Sequence, residues 1–415
     1  MRLPSTLKKS FKSKESFKKT LVTTAVAAAV AMSSGFASAA SDQPTLTEPV
    51  KAGNWSASLN RKESGNYDIN IFDQLITGTG EKTLNVEKSF EQTDFDAVKK
   101  LDGFGEFGNY YEDDLHNPYE VGMVNGVLIN GVDTDATFEN ASVVVTGGSL
   151  EGNPYVELGG VYHRDGVARF AGASTMISAT TAAAADSNGE SWVYGYAVEN
   201  PLGFAETQRE VAFSADKTDI SAASTNENGL GAIALLVSTD AVDNPAVSFA
   251  RGESTLTAST AAAGKSAIAL YMHNSDGNDG TGSVTVAEGA TLNLVATGGN
   301  PTGLYIDHGT FTSNGTLIVR ATTDSQVGSP SGIVAAGNAQ LTFNGKTEVY
   351  TQGDYAEALF VNSDNAGTVA ASATFGSKSE TTLNGSVAVG MNCPVKLDGT
   401  MTVNGFVELI GSLTG

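Results

Sequence analysis

Three of the four histidines follow similar short apolar stretches, so they are the first residues to consider for chemistry. His163, His273 and His308 each end such a stretch. An aspartate lies close to each one, namely Asp165, Asp276 and Asp307. If the stretches occupy equivalent turns of a repeat, imidazoles and carboxylates would form one ridge that could bind a metal ion or a glycan. The intervals fit no fixed metal-ligand spacing, so we interpret these residues as polar side chains at exposed corners.

One of these stretches, Tyr305-Ile306-Asp307-His308, is similar to the Trp-Ile-Asp-His phrase of many pectate-lyase-type β-helix enzymes. A lyase needs carboxylates that hold a cation and a base that removes a proton next to a carboxylate. Arg320 and Asp324 lie close enough in sequence to be recruited. The same phrase position holds His163 and His273 without that context, so repetition explains the histidine. We therefore keep a polysaccharide lyase or hydrolase acting on acidic glycans as the alternative function rather than the main prediction.

Two acidic clusters have compositions that could suit a divalent cation. Residues 276–280 read Asp-Gly-Asn-Asp-Gly, which breaks the alternation of an EF-hand loop. Residues 112–116 contain three acids and His116. Both clusters are typical of solvent-exposed turns. We predict no metal ligands in either one.

Serine and cysteine give no stronger candidates. Residues 328–332 have Pro330 where a nucleophile elbow needs serine. Cys393 precedes Pro394 and has no histidine nearby in sequence, which is typical of a small core residue. Neither a P-loop nor a dinucleotide-binding fingerprint occurs. We predict that the protein is not an enzyme and has no catalytic, cofactor-binding or metal-binding residues.

Composition limits the compartment and the partners. The 415 residues include 24 Lys and Arg, 46 Asp and Glu and one Cys, with a formal net charge of −22. Such an acidic chain is repelled by nucleic acid. A single Cys excludes an intramolecular disulfide and a cysteine-based zinc site. The 47 Gly and 10 Pro are too few to indicate low-complexity disorder.

The N-terminus has the order of segments that marks a secretory signal peptide. Residues 1–19 contain seven Lys or Arg and one Glu, and an apolar run extends from Leu21 to Met32. Ala37-Ser38-Ala39 is a small-residue cleavage pattern. The apolar run is too short to span a bilayer, which takes about 20 helical residues. We predict cleavage after residue 39, which removes seven cations and one acid and lowers the formal charge from −22 to about −28.

A short phrase recurs between residue 120 and the end of the chain: Asn-Gly, followed by aliphatic residues two apart. Asn-Gly tolerates positive φ and turns the chain tightly, and the alternation that follows suits a short strand with one buried face. The copies begin at Asn125, Asn314, Asn344, Asn384 and Asn404, with a variant at Asn140.

Two further markers accompany this phrase. A second phrase has a small residue, an apolar pair or triple and then a polar turn, at residues 159–163, 267–272, 302–306, 331–335 and 358–362. A single aromatic precedes many strands: Phe138, Phe170, Phe213, Phe249, Phe311, Phe343 and Phe375. The long gap between Phe249 and Phe311 spans two units, in which Val284 and Val286 replace the missing aromatic.

Recurrence at about 30–40 residues indicates a solenoid or propeller. Helical periodicity and propeller signatures are missing, so we predict an all-β fold, a right-handed parallel β-helix with two or three strands per coil and about a dozen coils. The predicted organisation is a signal peptide over 1–39, an irregular N-terminal cap or first coils with an acidic aromatic loop over 40–120, and β-helix repeats over 121–415. Stacking of neighbouring coils would replace disulfides as the source of stability.

The whole chain resembles the passenger region of Gram-negative autotransporters. The resemblance rests on the long signal peptide, the Asn-Gly units, the acidic coils rich in Gly, Ser, Thr and Asn, and the near absence of Cys. It implies secretion or display at the surface of a Gram-negative bacterium, with adhesion or self-association as the function. The partners would be host or bacterial cell-surface molecules or other copies of the chain. An outer-membrane β-barrel is expected if the sequence is a fragment of a longer protein.

Overall fold

The computed structural model describes residues 48–61, 67–104, 122–152, 154, 156–184, 192–199, 209–239, 244–274, 282–323, 328–362, 370–390 and 392–414. The predicted signal peptide lies outside these residues. So do the clusters at 112–116 and 276–280, Asp324 and most of the predicted acidic aromatic loop.

The described residues form three long sheets and one helix. Sheet 1 contains β1 (Val50–Ala52), β2 (Trp55–Arg61), β3 (Tyr67–Ile76), β6 (Gly122–Ile129), β9 (Val156–His163), β12 (Trp192–Val198), β15 (Gly231–Thr239), β18 (Ser266–Asn274), β21 (Asn300–Ile306), β24 (Ser331–Ala335), β27 (Glu357–Val361), β30 (Ser386–Val389) and β33 (Val407–Leu409). Sheet 2 contains β4 (Thr79–Lys82), β7 (Asp135–Glu139), β10 (Gly166–Ala171), β13 (Arg209–Phe213), β16 (Ala246–Phe249), β19 (Ser283–Val286), β22 (Thr310–Ser313), β25 (Gln340–Phe343), β28 (Ser372–Phe375), β31 (Pro394–Leu397) and β34 (Ser412–Thr414). Sheet 3 contains β5 (Asn85–Phe90), β8 (Ser142–Gly147), β11 (Ser174–Thr181), β14 (Lys217–Ser224), β17 (Glu253–Thr260), β20 (Thr291–Thr297), β23 (Thr316–Thr322), β26 (Lys346–Gln352), β29 (Glu380–Asn384) and β32 (Thr400–Asn404). The helix is α1 (Gln92–Lys99).

From β3 the chain visits the three sheets in turn, and each strand pairs with the strand three places later. From β3 onward all these pairings are parallel. Among the described residues this gives ten coils of three strands, from β3–β5 to β30–β32, and β33 and β34 begin an eleventh. The predicted all-β parallel β-helix is therefore confirmed.

The core follows from the alternation of side chains along each strand. In most strands of sheets 2 and 3 every second residue is buried, and these residues stack in register from coil to coil. Phe138, Phe170, Phe213 and Phe249 form one such stack in sheet 2, with ring centroids 5.1–5.3 Å apart. Stacked aromatic rings contribute about 0.5–1.5 kcal/mol per pair beyond the area that they bury.

The predicted equivalence of the aromatic markers is wrong at one position. Val286 pairs with Phe249, as predicted, and Ser313 continues that stack. Phe311 instead pairs with Val284, two residues away on the same face. Phe343 returns to the original stack opposite Ser313. The ring moves by one inward position because either of the two inward sites of this short strand can hold it.

Sheet 1 differs from the other two because most of its strands, apart from those at the two ends, are buried on both faces. Strands β9, β12 and β21 are buried at every residue. One series of aliphatic residues faces the main core, and a second apolar cluster, which includes Tyr162, Tyr194 and Tyr305, lies on the opposite face. The five copies of the second sequence phrase lie on β9, β18, β21, β24 and β27, all in this sheet.

The Asn-Gly phrase occupies three different places rather than one. At Asn314 and Asn344 it forms the corner between sheets 2 and 3, whereas Asn384 and Asn404 end sheet 3 strands before sheet 1. Asn125 is buried inside β6 and makes no turn, contrary to the prediction. At the corners glycine is required by close approach, because a Cβ on residue 345 would lie 2.0 Å from the carbonyl oxygen of residue 315.

The N-terminal end is built differently from the coils. Strands β1, β2 and β3 pair antiparallel, and Trp55 packs edge-to-face on Phe90 at 5.6 Å between ring centroids. Helix α1 follows β5 and buries Phe95 and Val98. Its first turn is closed by the amide of Glu91, which donates to the carboxylate of Asp94 at 3.1 Å.

Candidate interaction surface

Sheet 3 carries a broad outward face in the described part of the chain. Its strands β11, β14, β17 and β20 are seven or eight residues long, and their alternate residues point away from the core. Sheet 2 strands are mostly four or five residues long and sheet 1 is buried on both faces, so sheet 3 offers the wider surface. We call the outward side chains of β11, β14, β17, β20, β23, β26, β29 and β32 the threonine face.

The threonine face consists mainly of hydroxyl and amide groups in parallel rows. Strand register places these side chains one above another at about 4.8 Å, the spacing between neighbouring strands. The central row runs through Thr255, Asn293, Ile318, Glu348 and Thr382. Neighbours in these rows bond to each other where the geometry allows, since Ser221 Oγ donates to Ser178 Oγ at 3.0 Å. The amide of Asn404 donates to Asn384 Oδ1 at 2.8 Å.

One row of this face carries a repeated charge pattern. We call it the charged row; it consists of Ser174, Lys217, Glu253, Thr291, Thr316, Lys346, Glu380 and Thr400. A lysine followed by a glutamate on the next strand occurs twice, separated by two threonines. Lys217 and Lys346 are well exposed, with 63% and 54% of their side chains accessible. The rest of the row is neutral.

Each lysine of the charged row is also paired along its own strand. Lys217 Nζ lies 2.7 Å from Asp219 Oδ2, and Lys346 Nζ lies 2.7 Å from Glu348 Oε1. The hydrogen bond and charge of Asp219 raise the pKa of Lys217, and Glu348 does the same for Lys346. Both lysines therefore stay charged at neutral pH. Each group of one lysine and its two acidic neighbours carries a net charge of −1.

A shallow depression lies beside the second of these charge groups. Its volume is about 250 Å3, and Arg320, Glu348, Tyr350 and Asn384 are among the residues that line it. Tyr350 is 45% exposed, and its hydroxyl donates to Gln352 Oε1 at 3.0 Å. A flat aromatic side chain held by a neighbour loses little conformational entropy when it is covered, so this position favours contact with another surface.

The three histidines do not form a ridge, and the prediction that they lie at exposed corners is wrong for His163 and His273, which are buried within sheet 1 strands. His163 shares an inward column with Val198 and is fully buried. His273 pairs with Ser238 on the opposite face of sheet 1 and stacks on Tyr271, with ring centroids 4.9 Å apart. His308 follows the end of β21 at a corner. Similar phrases were misleading because a shift of one residue moves a side chain to the other face of a strand.

His163 is held as a neutral imidazole. Its Nε2 lies 3.1 Å from the Asp165 carbonyl oxygen and 3.0 Å from that of Gly166, so Nε2 carries the proton and donates. Nδ1 then accepts from the hydroxyl of Tyr196 at 3.1 Å. Burial, and to a smaller extent the charge of Arg209, lower the pKa of His163 to about 4. Complete burial keeps this group away from any substrate.

Among the described residues of the lyase alternative, Arg320 lies on a different sheet from the corner that holds Asp307 and His308. His308 Nδ1 lies 3.0 Å from Asp307 Oδ1 at the corner that follows β21, and both side chains are mostly buried. Arg320 belongs to β23 and points outward on sheet 3. Within the described ranges, no three His, Cys, Asp or Glu residues lie close enough together to hold a metal ion.

No family model matches the chain, and no curated protein or solved structure is significantly similar to it. Helix α1 has eight residues, and the described part of the chain contains no helix with the length and hydrophobicity needed to cross a membrane.

The charged row escaped prediction from sequence, although both copies of its motif are visible. Lys217-Thr218-Asp219 and Lys346-Thr347-Glu348 share the pattern Lys-Thr-acid. They lie four coils apart, but the corner segments between them differ in length, so no constant interval relates them. Only the strand register shows that they occupy the same row.

Proposed function

We propose that the protein is an exported β-solenoid that acts as a binding surface in adhesion or self-association at the surface of a Gram-negative bacterium, as autotransporter passengers do. The observation that supports this most directly is the threonine face, a wide, exposed ladder of hydroxyl and amide groups. Such a surface can make many weak hydrogen bonds at once, and their number rather than their individual strength gives attachment.

Two further observations agree with a binding role. In the described residues no three His, Cys, Asp or Glu side chains form the cation site on which a polysaccharide lyase would depend. Cys393 is buried, and the fold depends on stacked coils, which suits a chain that must be exported unfolded without cross-links.

The proposal can be tested by expressing the full chain in a Gram-negative host. We expect the exported form to begin at Ala40, which N-terminal sequencing would show. Beads coated with that form should aggregate or attach to bacterial or host cells. Export without any bead aggregation or cell attachment would contradict the binding role.

A matched pair of variants locates the binding surface. Thr291 and Thr316 are neighbours on the threonine face, and Thr312 and Thr342 are neighbours on the outward face of sheet 2. Changing the first pair to Arg places two bulky cations on the two middle strands of the threonine face and should abolish attachment. The same change in the second pair should leave attachment as in the wild type. Equal effects of the two changes would mean that sheet 3 is not the binding surface.

A further inference from the structure

The charged row has the pattern expected of a surface that binds a second copy of itself. Its order of charges is Lys, Glu, Thr, Thr, Lys, Glu from β14 to β29. When this order is reversed, each lysine takes the place of a glutamate and each threonine takes the place of the other. A two-fold interface brings identical surfaces together in reversed order, so a self-complementary pattern of this kind is what it requires.

We propose that two copies associate face to face through the threonine face, about a two-fold axis that runs parallel to the strands between β20 and β23. This inference rests on the proposed function, since it names the partner of the same surface. The two solenoids are then antiparallel, so β14 faces the partner's β29, β17 faces the partner's β26, and β20 faces the partner's β23.

This arrangement places every charge of the row opposite its counterion. Lys217 faces the partner's Glu380, and Glu253 faces the partner's Lys346. The two-fold axis repeats both contacts, so the interface contains four Lys–Glu pairs. Thr291 faces the partner's Thr316 at the centre.

The same charges exclude the neighbouring alignments. A slip by one strand in one direction places Lys217 opposite the partner's Lys346. A slip in the other direction places Glu253 opposite the partner's Glu380. A two-fold axis parallel to the solenoid instead places the charged row opposite a row of neutral residues, which offers no counterions. Charged pairs at exposed sites add little affinity, but like charges in contact are costly. The charged row therefore selects the register and orientation of the two copies more than it strengthens their binding.

The remainder of the face is compatible with this contact. Tyr350, the exposed aromatic, faces the partner's Thr257, and Arg320 faces the partner's Val295. Both opposing residues are small enough to leave room for the larger side chain. No two like charges meet in any row. Eight strands at about 4.8 Å and seven residues at about 3.3 Å cover roughly 900 Å2 per copy, close to the ~800 Å2 per partner of a standard specific interface.

Charge reversal with cross-rescue tests the pairing directly. One variant carries Lys217→Glu with Lys346→Glu, and the other carries Glu253→Lys with Glu380→Lys. Each variant alone faces only like charges, so its dimer dissociation constant at low salt should rise at least about tenfold. A one-to-one mixture restores four opposite pairs and should form a heterodimer within a few-fold of the wild-type affinity. Sedimentation velocity of the full exported chain measures both values.

The matched control makes the same change in net charge as the double lysine variant, but on sheet 2. Arg169 and Lys396 lie on the outward side of sheet 2, and each pairs with a nearby aspartate, as the two lysines of the charged row pair with nearby acids. Arg169→Glu with Lys396→Glu should leave dimerisation unchanged. Circular dichroism confirms that all three double variants keep the β fold.

The outcomes separate this inference from the proposed function. A monomeric wild type, unimpaired reversal variants or a mixture without rescue would each overturn the paired interface. If coated beads still attach to cells in those cases, the proposed binding function stands and only its partner is different. If the paired interface is overturned and the beads also neither aggregate nor attach, both proposals fail.

Discussion

Acidification should destabilise the coils around His163 specifically. The imidazole is fully buried and hydrogen-bonded as a neutral group, and its pKa is lowered from 6.5 to about 4. The unfolded chain therefore takes up this proton first as the pH falls. His163 contributes its full stabilisation well above pH 6.5. This contribution to the free energy of unfolding decreases between pH 6.5 and 4, and it is lost below pH 4.

The magnitude follows from the two pKa values. A difference of about 2.5 pKa units corresponds to roughly 3 kcal/mol when the change is complete. Between pH 7 and pH 5 the unfolded state gains about three quarters of a proton and the folded state very little, which gives a loss of about 2 kcal/mol. Carboxylates also titrate in this range, so the relevant quantity is the difference between the wild type and His163→Gln.

Amide hydrogen exchange in β9 and β12 is the suitable assay, because a repeat array can open locally without unfolding as a whole. Comparison of the two proteins at each pH cancels the intrinsic exchange rates. We expect the difference in protection between wild type and His163→Gln to shrink by about 2 kcal/mol from pH 7 to pH 5.

Tyr196→Phe is the control that separates burial from hydrogen bonding. It removes the hydroxyl that donates to Nδ1 and should cost about 1–2 kcal/mol at neutral pH. The pH dependence should remain, because burial is the larger cause of the lowered pKa. If His163→Gln follows the same pH profile as the wild type, or if NMR titration gives His163 a pKa near 6.5, the reasoning is refuted.

Three further predictions concern the core. Phe213→Ala removes the middle ring of a buried stack and should destabilise its coils by about 3–5 kcal/mol, measured by urea unfolding, and a cost below 1 kcal/mol would contradict the packing. Gly303→Ala should cost about 1–3 kcal/mol, because the new Cβ would lie 2.1 Å from Val319 Cγ1; the double variant with Val319→Ala should recover part of that loss in the same assay. Cys393 is fully buried, so a thiol reagent should label it only after unfolding, and rapid labelling of the native chain would show that the last coils open readily.

The coil architecture could be predicted from sequence because inward positions repeat chemically. Apolar residues two apart, followed by a corner, identify sheet 2 and sheet 3 strands in coil after coil. What the sequence cannot give is the register between coils, since either inward site of a short strand accepts a large side chain. Phe311 and Ser313 exchange the usual places of ring and small residue for that reason.

The polar residues were harder to place than the apolar ones. Asn125 and Asn314 begin the same phrase, yet one is buried within a strand and the other turns a corner. The difference depends on the neighbouring strand, because Asn125 pairs with Gly159, whose missing side chain leaves room for the amide. Such information belongs to the next coil and is not local to the phrase.

The charged row shows why distance along the chain and distance in a solenoid must be treated separately. Corner segments change length freely, because they leave the stack and do not alter which strands pair. The row positions of Lys217 and Lys346 depend only on the strand register, so insertions at the corners change the number of residues between them without moving one relative to the other. A binding surface built on sheet 3 can therefore keep its charge pattern while corner segments vary. The parallel stack that would replace disulfides in stabilising the chain also fixes the spacing between the side chains of the threonine face.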